Sequence, residues 1–82
     1  MKLLIVSPQG TYEYSVQWIE AWTPSGNLVI KPGHAPLIVT LMPGFEFSFM
    51  LAAEEKKIIH LTRTGFLEVN RTDAIALLSQ DI

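Results

Sequence analysis

Tyr12-Glu13-Tyr14-Ser15-Val16-Gln17-Trp18-Ile19-Glu20-Ala21-Trp22 is the stretch that decides how this chain folds. Tyr12, Tyr14, Val16 and Trp18 alternate with Glu13, Ser15 and Gln17, which is the period of a strand with one apolar face. A helix would repeat its apolar residues every third or fourth position, and no part of the chain sustains that spacing. After Trp18 the alternation slips. Ile19 and Ala21 become the apolar set, and Glu20 falls where an inward residue was due. A slip of one residue reverses the faces of a strand, so a β-bulge or bend is expected near Trp18. Beyond it, Trp18, Glu20 and Trp22 should share one face, opposite Ile19 and Ala21.

Strand and turn signals continue on either side. Leu3-Leu4-Ile5-Val6 is a fully apolar run that ends at Ser7-Pro8, and Gln9-Gly10 continues that turn. Thr23-Pro24-Ser25-Gly26-Asn27 is a loop of turn formers, Leu28-Val29-Ile30 a short strand, and Lys31-Pro32-Gly33-His34-Ala35-Pro36 a second loop. Residues 37–41 read as a strand and Met42-Pro43-Gly44 as a turn. Phe45, Phe47 and Phe49 alternate with Glu46 and Ser48, a pattern that places the phenylalanines in the core. Residues 52–57, with two Glu and two Lys, form a solvated tip. A strand over 58–61 and a final hairpin, 66–69 with 74–78 about Asn70-Arg71-Thr72-Asp73, complete the chain. Short strands at intervals of about ten residues with turn chemistry between them predict an antiparallel β-sandwich of about eight to ten strands. The fold class is all-β, in one domain over residues 1–82.

Bulk properties point to a surface covered by a partner. Apolar residues make up 49 % of the 82 residues and charged residues 17 %. A chain this short buries only roughly 60–65 % of its unfolded surface, so much of that apolar content is left near the outside. Net charge is −2, and the only pair of adjacent basic residues is Lys56-Lys57, so there is no electrostatic footprint for nucleic acid. The absence of cysteine removes disulfides, thiol catalysis and thiolate-bound metal. Met1 to Val6 reads as the first strand and not as a signal segment, and no apolar run approaches the ~20 residues of a membrane-spanning helix.

Residues that carry chemistry are scarce. His34 stands in a Pro/Gly loop and His60 in a strand, and neither has a second ligand at metal-binding spacing. Glu54-Glu55 beside Lys56-Lys57 is a charged tip without the apolar pocket that tunes a catalytic carboxylate. The serines lack a nucleophile-elbow context, and no glycine-rich phosphate loop is present. Asn70-Arg71-Thr72 matches a glycosylation pattern without secretory context. The expectation is therefore no catalytic residue, no cofactor, no metal and no small-molecule substrate. What remains suits binding: the Trp18/Trp22 face, since tryptophan is enriched at interface hot spots, and the two-proline loop from Lys31 to Pro36, which loses little entropy on docking.

The stretch from Gly26 to Leu37 resembles the signature G-E-[FL]-G-[VI]-L-P-G-H-A-P-L of the epsilon chain of F-type ATP synthase. Pro32, Gly33, His34, Ala35, Pro36 and Leu37 match consecutively. Leu3 to Gly10 is similar to the opening L-x-I-V-[TS]-P-E-G, Leu41-Met42-Pro43-Gly44 to L-K-P-G, and Gly65-Phe66-Leu67-Glu68-Val69 to G-F-L-E-V. The departures are Asn27 for Glu, Val29 for Gly, Lys31 for Leu, Thr64 for the first of the paired glycines, a phenylalanine at 47 where a basic residue is common, and Leu77-Leu78-Ser79 for the closing L-A-D.

The resemblance implies a non-catalytic subunit at the foot of the central stalk, the rotor of a proton-translocating synthase. Such a subunit is peripheral to the membrane on the cytoplasmic side. It binds the gamma subunit and the polar loops of the c-ring, so that ring rotation turns gamma. By resemblance, Gly26, Asn27, Lys31, Pro32, Gly33 and His34 are the ring-facing candidates, and one outer face with Trp18, Trp22 and Met42 is expected to meet gamma. Typical bacterial members continue into a C-terminal helical hairpin that inhibits ATP hydrolysis and in some members binds ATP. The sequence stops at Ile82, so the expectation is either a naturally short form, which is favoured, or a trimmed one, and in both cases no hairpin inhibition or hairpin ATP binding by these residues. Two rivals stand beside this reading: an orphan epsilon-like interaction domain outside the synthase, and a ligand-binding β-domain that uses the aromatics as a platform.

Overall fold

The computed structural model describes all 82 residues, and its eight strands are β1 (Lys2–Ser7), β2 (Gly10–Thr23), β3 (Gly26–Ile30), β4 (Leu37–Leu41), β5 (Glu46–Leu51), β6 (Lys56–His60), β7 (Gly65–Val69) and β8 (Asp73–Leu77). There is no helix. β2 organises the molecule. Its first half pairs with β1 (Leu3 opposite Tyr14), and its second half lies between β3 and β5. The first sheet runs β4-β7-β8-β1-β2, and the second runs β3-β2-β5-β6.

The strand passes from one sheet to the other at the position its sequence marks. Val16 pairs with Leu51 and Trp18 with Met50, so Gln17 is the extra residue of a bulge. The Gln17 side-chain amide donates to Leu51 O at 3.2 Å, which serves the locally disrupted ladder. Ile19 and Ala21 are accordingly buried, while Trp18, Glu20 and Trp22 look outward.

Six of the seven strand pairs are antiparallel, but β1 and β8 run parallel, with Lys2 opposite Asp73 and Val6 opposite Leu77. The sandwich is antiparallel as expected apart from this one pair. β8 returns from the β7–β8 hairpin, and β1 is at the far end of the chain. The rest of the fold is the connection between them, and parallel pairing needs no dedicated crossover.

The core lies between the sheets. Leu3, Ile5, Leu67, Val69, Ala74 and Ala76 enter it from the first sheet, and Ile19, Ala21, Ile30, Phe47 and Phe49 from the second. The phenylalanine series departs from expectation at two positions, Phe45 and Ser48. Phe47 and Phe49 fill the core, but Phe45 precedes β5, is 43 % exposed and stacks on Trp22. Ser48 faces outward by parity yet is buried, because Glu20 and Ile58 flank it in the register and overhang so small a side chain.

Gly65 begins the Phe66-to-Val69 strand for a steric reason. A Cβ there would lie 2.9 Å from Leu78 Cδ2 and 3.0 Å from Leu77 O. After β8 the chain is tied back by Gln80. Its Oε1 accepts from Thr62 N at 2.7 Å, and its Nε2 donates to His60 O at 2.9 Å, which closes the β6–β7 loop.

Candidate functional site

Two outer surfaces carry the residues of interest. The first is the outside of the second sheet together with β3. Pro24 and Ser25 form the tight turn between β2 and β3, braced by Thr23 Oγ1, which donates to Gly26 O at 3.0 Å and accepts from Ser25 N at 3.1 Å. Gly26 and Asn27 therefore lie at one end of β3. Lys31, Pro32, Gly33 and His34 lie at the other end, across a strand of five residues. The ring-facing candidates do not form a single tip. What they share is β3 itself, which pairs only with β2 and leaves its other edge free.

The Lys31–His34 turn is built by its sequence. His34 N donates to Lys31 O at 3.1 Å, and Gly33 adopts φ 85°. Proline second and a positive-φ glycine third are the requirements of a type II turn. Gly33 N then donates to Arg71 O at 2.9 Å, which pins this turn to the β7–β8 turn. His34 Nδ1 lies 2.7 Å from Ala35 O. A carbonyl only accepts, so Nδ1 carries the proton, and the Nε2 edge of the ring is the one left for a partner.

Trp18 and Trp22 stand beside β3, not on a separate face. Trp22 is opposite Asn27 in the register, and the Asn27 amide donates to Glu20 Oε2 at 3.0 Å. Trp18, Glu20, Val29 and Lys31 line a shallow groove. Lys56 Nζ lies 5.8 Å from the centre of the Trp18 ring, within cation–π reach. Trp22 stacks on Phe45 with centroids 5.2 Å apart, and its carbonyl accepts from Met42 N at 2.9 Å. Trp18, Trp22 and Met42 were expected to face one partner and Gly26–Asn27 another. The structure puts Trp18, Trp22 and Asn27 on one continuous surface, with Met42 joined to it through its backbone.

The second surface is the outside of the first sheet, which holds none of the site residues singled out from the sequence. The register aligns Val6, Leu77 and Phe66 in one row across β1, β8 and β7. Leu4, Ile75, Glu68 and Ile38 form the next row across β1, β8, β7 and β4. Ile38 is 71 % exposed and Phe66 50 % exposed. Thr11, Glu13, Lys2, Asp73 and Thr40 border the patch. A sheet that faced water would alternate apolar and polar residues. This face instead gathers Leu4, Val6, Ile38, Phe66, Ile75 and Leu77 around a single Glu68, and an exposed apolar patch of that kind marks an interaction surface. The signal was present in the unbroken apolar runs Leu3–Val6 and Ala74–Leu78, where both parities are apolar and so both faces must be.

The ion pairs are Lys57–Glu55 at 3.3 Å and Glu46–His60 at 3.7 Å, both exposed. No three His, Cys, Asp or Glu side chains converge. No helix is long and apolar enough to cross a membrane.

Residues 1–81 match the family model described as the beta-sandwich domain of the ATP synthase delta/epsilon chain. Among curated relatives, the ATP synthase epsilon chain of Anoxybacillus flavithermus is 33 % identical over 81 residues, covering 98 % of this chain and 58 % of that protein. That of Bdellovibrio bacteriovorus is 36 % identical over 72 residues, 85 % of this chain and 51 % of that protein. The chain thus spans somewhat over half the length of these relatives. Among solved structures, a cryo-EM structure of the central stalk and c-ring of Tetrahymena thermophila mitochondrial ATP synthase contains a chain that matches with a TM-score of 0.77 at 17 % identity. That match covers 98 % of this chain and 63 % of the other, and it establishes likeness of fold.

Proposed function

The chain belongs to the ATP synthase delta/epsilon family, of which it spans the β-sandwich domain, and from that premise we propose that it is a non-catalytic central-stalk subunit coupling rotation of a membrane c-ring to gamma. The observation that carries this reading is the pair of docking surfaces on opposite sides of one body. The apolar outer face of the first sheet suits a permanent partner, which we take to be gamma. The free β3 edge with its two end turns, Gly26–Asn27 and Lys31–His34, suits the polar loops of the ring. Trp18, Trp22 and Met42 belong with the ring-side surface.

Coupling requires that a twist applied at one surface arrives at the other. β2 runs through both sheets as one 14-residue strand, so the load passes along covalent backbone as well as through packed side chains. No linker divides the molecule. By this reading the subunit sits peripherally, on the cytoplasmic side of an energy-converting membrane, held there by the complex.

Co-expressed with its cognate gamma subunit, the chain is expected to co-purify with it in equal amounts, and on its own to hydrolyse no ATP. If the chain keeps its β-sheet circular dichroism spectrum but fails to capture cognate gamma, the coupling reading is wrong.

A further inference from the structure

We infer that Glu68 and the hollow beside it receive one basic side chain, an arginine, of the partner that covers the outer face of the first sheet. This rests on the reading of that face as the gamma site and names a contact within it. Glu68 is the one charged residue inside the patch. The register sets it between Ile75 on β8 and Ile38 on β4, and Phe66 stands two residues away on the same side of β7. The other acid of this row, Glu13, lies at its far end, beyond Leu4.

No cation of the chain pairs with Glu68. The ion pairs lie elsewhere, at Lys57–Glu55 and Glu46–His60. Lys2 stands opposite Asp73 in the next row, and Arg71 belongs to the β7–β8 turn beyond Asn70. In the free chain this costs little, because Glu68 is exposed to water. Under an apolar partner surface the same carboxylate loses its water, and a buried charge without a counter-charge is strongly unfavourable. A face of this composition therefore requires a cation on its partner at one place.

The local shape fits that cation. Pro36, Leu37, Ile38, Glu68, Val69 and Asn70 line an open hollow of about 380 Å³. On the β4 side, Pro36 and Ile38 offer apolar surface along which a long aliphatic stem can lie. On the β7 side, Glu68 and Asn70 offer acceptors. The Asn70 Nδ2 donates to Asp73 Oδ1 at 3.2 Å, which leaves its own Oδ1 to accept. A carboxylate with an amide oxygen beside it suits the several fixed donors of a guanidinium better than a single ammonium.

The test uses the whole chain and cognate gamma in titration calorimetry. Glu68→Gln keeps the shape and removes the charge. Its melting temperature should match that of the unmodified chain, and its affinity for gamma should fall about thirtyfold. Glu13→Gln removes the same charge from the border of the same row and should bind within roughly twofold of the unmodified chain. Glu68→Arg should abolish binding, and replacing the arginines of gamma one at a time by glutamate should restore it at one position. Three results overturn the inference: equal or tighter binding by Glu68→Gln, equal effects of Glu68→Gln and Glu13→Gln, or rescue of Glu68→Arg at no arginine of gamma. If the unmodified chain captures no gamma, the coupling reading fails and this contact falls with it. If the unmodified chain and Glu68→Gln capture gamma equally, only the contact fails.

Discussion

Truncation of Phe47 to alanine is expected to remove most of the stability of this domain. Phe47 is fully buried, packs against Phe49 with ring centroids 5.9 Å apart, and stands on β5 between β2 and β6. Emptying such a site costs about 3–5 kcal/mol, from lost transfer energy and from the cavity left behind. A domain of this length has only about 4–12 kcal/mol in total. A loss of that size corresponds to a fall in melting temperature of roughly 15 °C or more. A thermal melt followed by circular dichroism checks this. A fall of only a few degrees would mean that Phe47 is not central to the packing.

The second large effect concerns binding and should leave the fold alone. Phe66→Asp replaces a half-exposed side chain in the Val6–Leu77–Phe66 row of the first sheet's outer face, beside Leu77 and opposite Thr40. In the free chain the new carboxylate stays in water, and stability should change by less than about 1 kcal/mol. In the complex it would be buried against apolar surface without a partner, at a cost of about 3–5 kcal/mol. That is more than a hundredfold in affinity for gamma. Ile58→Asp, on the outside of the second sheet, is the matched control and should bind gamma as the unmodified chain does. Equal effects of the two changes, read by titration calorimetry, would move the gamma site off the first sheet.

Much of this architecture is legible in the residue pattern. The slip after Trp18 located the bulge that carries β2 from one sheet to the other, because a face reversal within a continuous strand has few other causes. Turn chemistry placed the loops well: Pro32-Gly33 forces a type II turn, and Pro43-Gly44 ends β4. Pairing between the chain ends was not legible. Period two reports which face a residue occupies and nothing about the direction of the neighbouring strand, so the parallel β1–β8 pair escaped notice. Phe45 was misplaced for a related reason. Alternation counted it inward, but the strand begins one residue later and the ring found Trp22 instead.

The candidate surfaces divide the same way. The signature residues from Pro32 to Leu37 single out the Lys31–His34 turn, and only the structure shows that this turn and Gly26–Asn27 stand at the two ends of one strand. Trp18 and Trp22 were correctly placed outside, but their proximity to Asn27 depends on the β2–β3 register. The apolar face of the first sheet was overlooked although its evidence lay in plain runs. Leu3 to Val6 and Ala74 to Leu78 are apolar at both parities, which one buried face alone does not account for.

A rotor coupling must hold two partners at once, so the most direct measurement is ternary assembly. The chain is saturated with cognate gamma and offered to detergent-solubilised c-ring, and the mixture is resolved by size-exclusion chromatography with mass analysis. Two docking surfaces on opposite sides of one sandwich predict a single peak that contains chain, gamma and ring. If the ring displaces gamma, or gamma blocks the ring, the surfaces overlap and the chain does not couple one to the other.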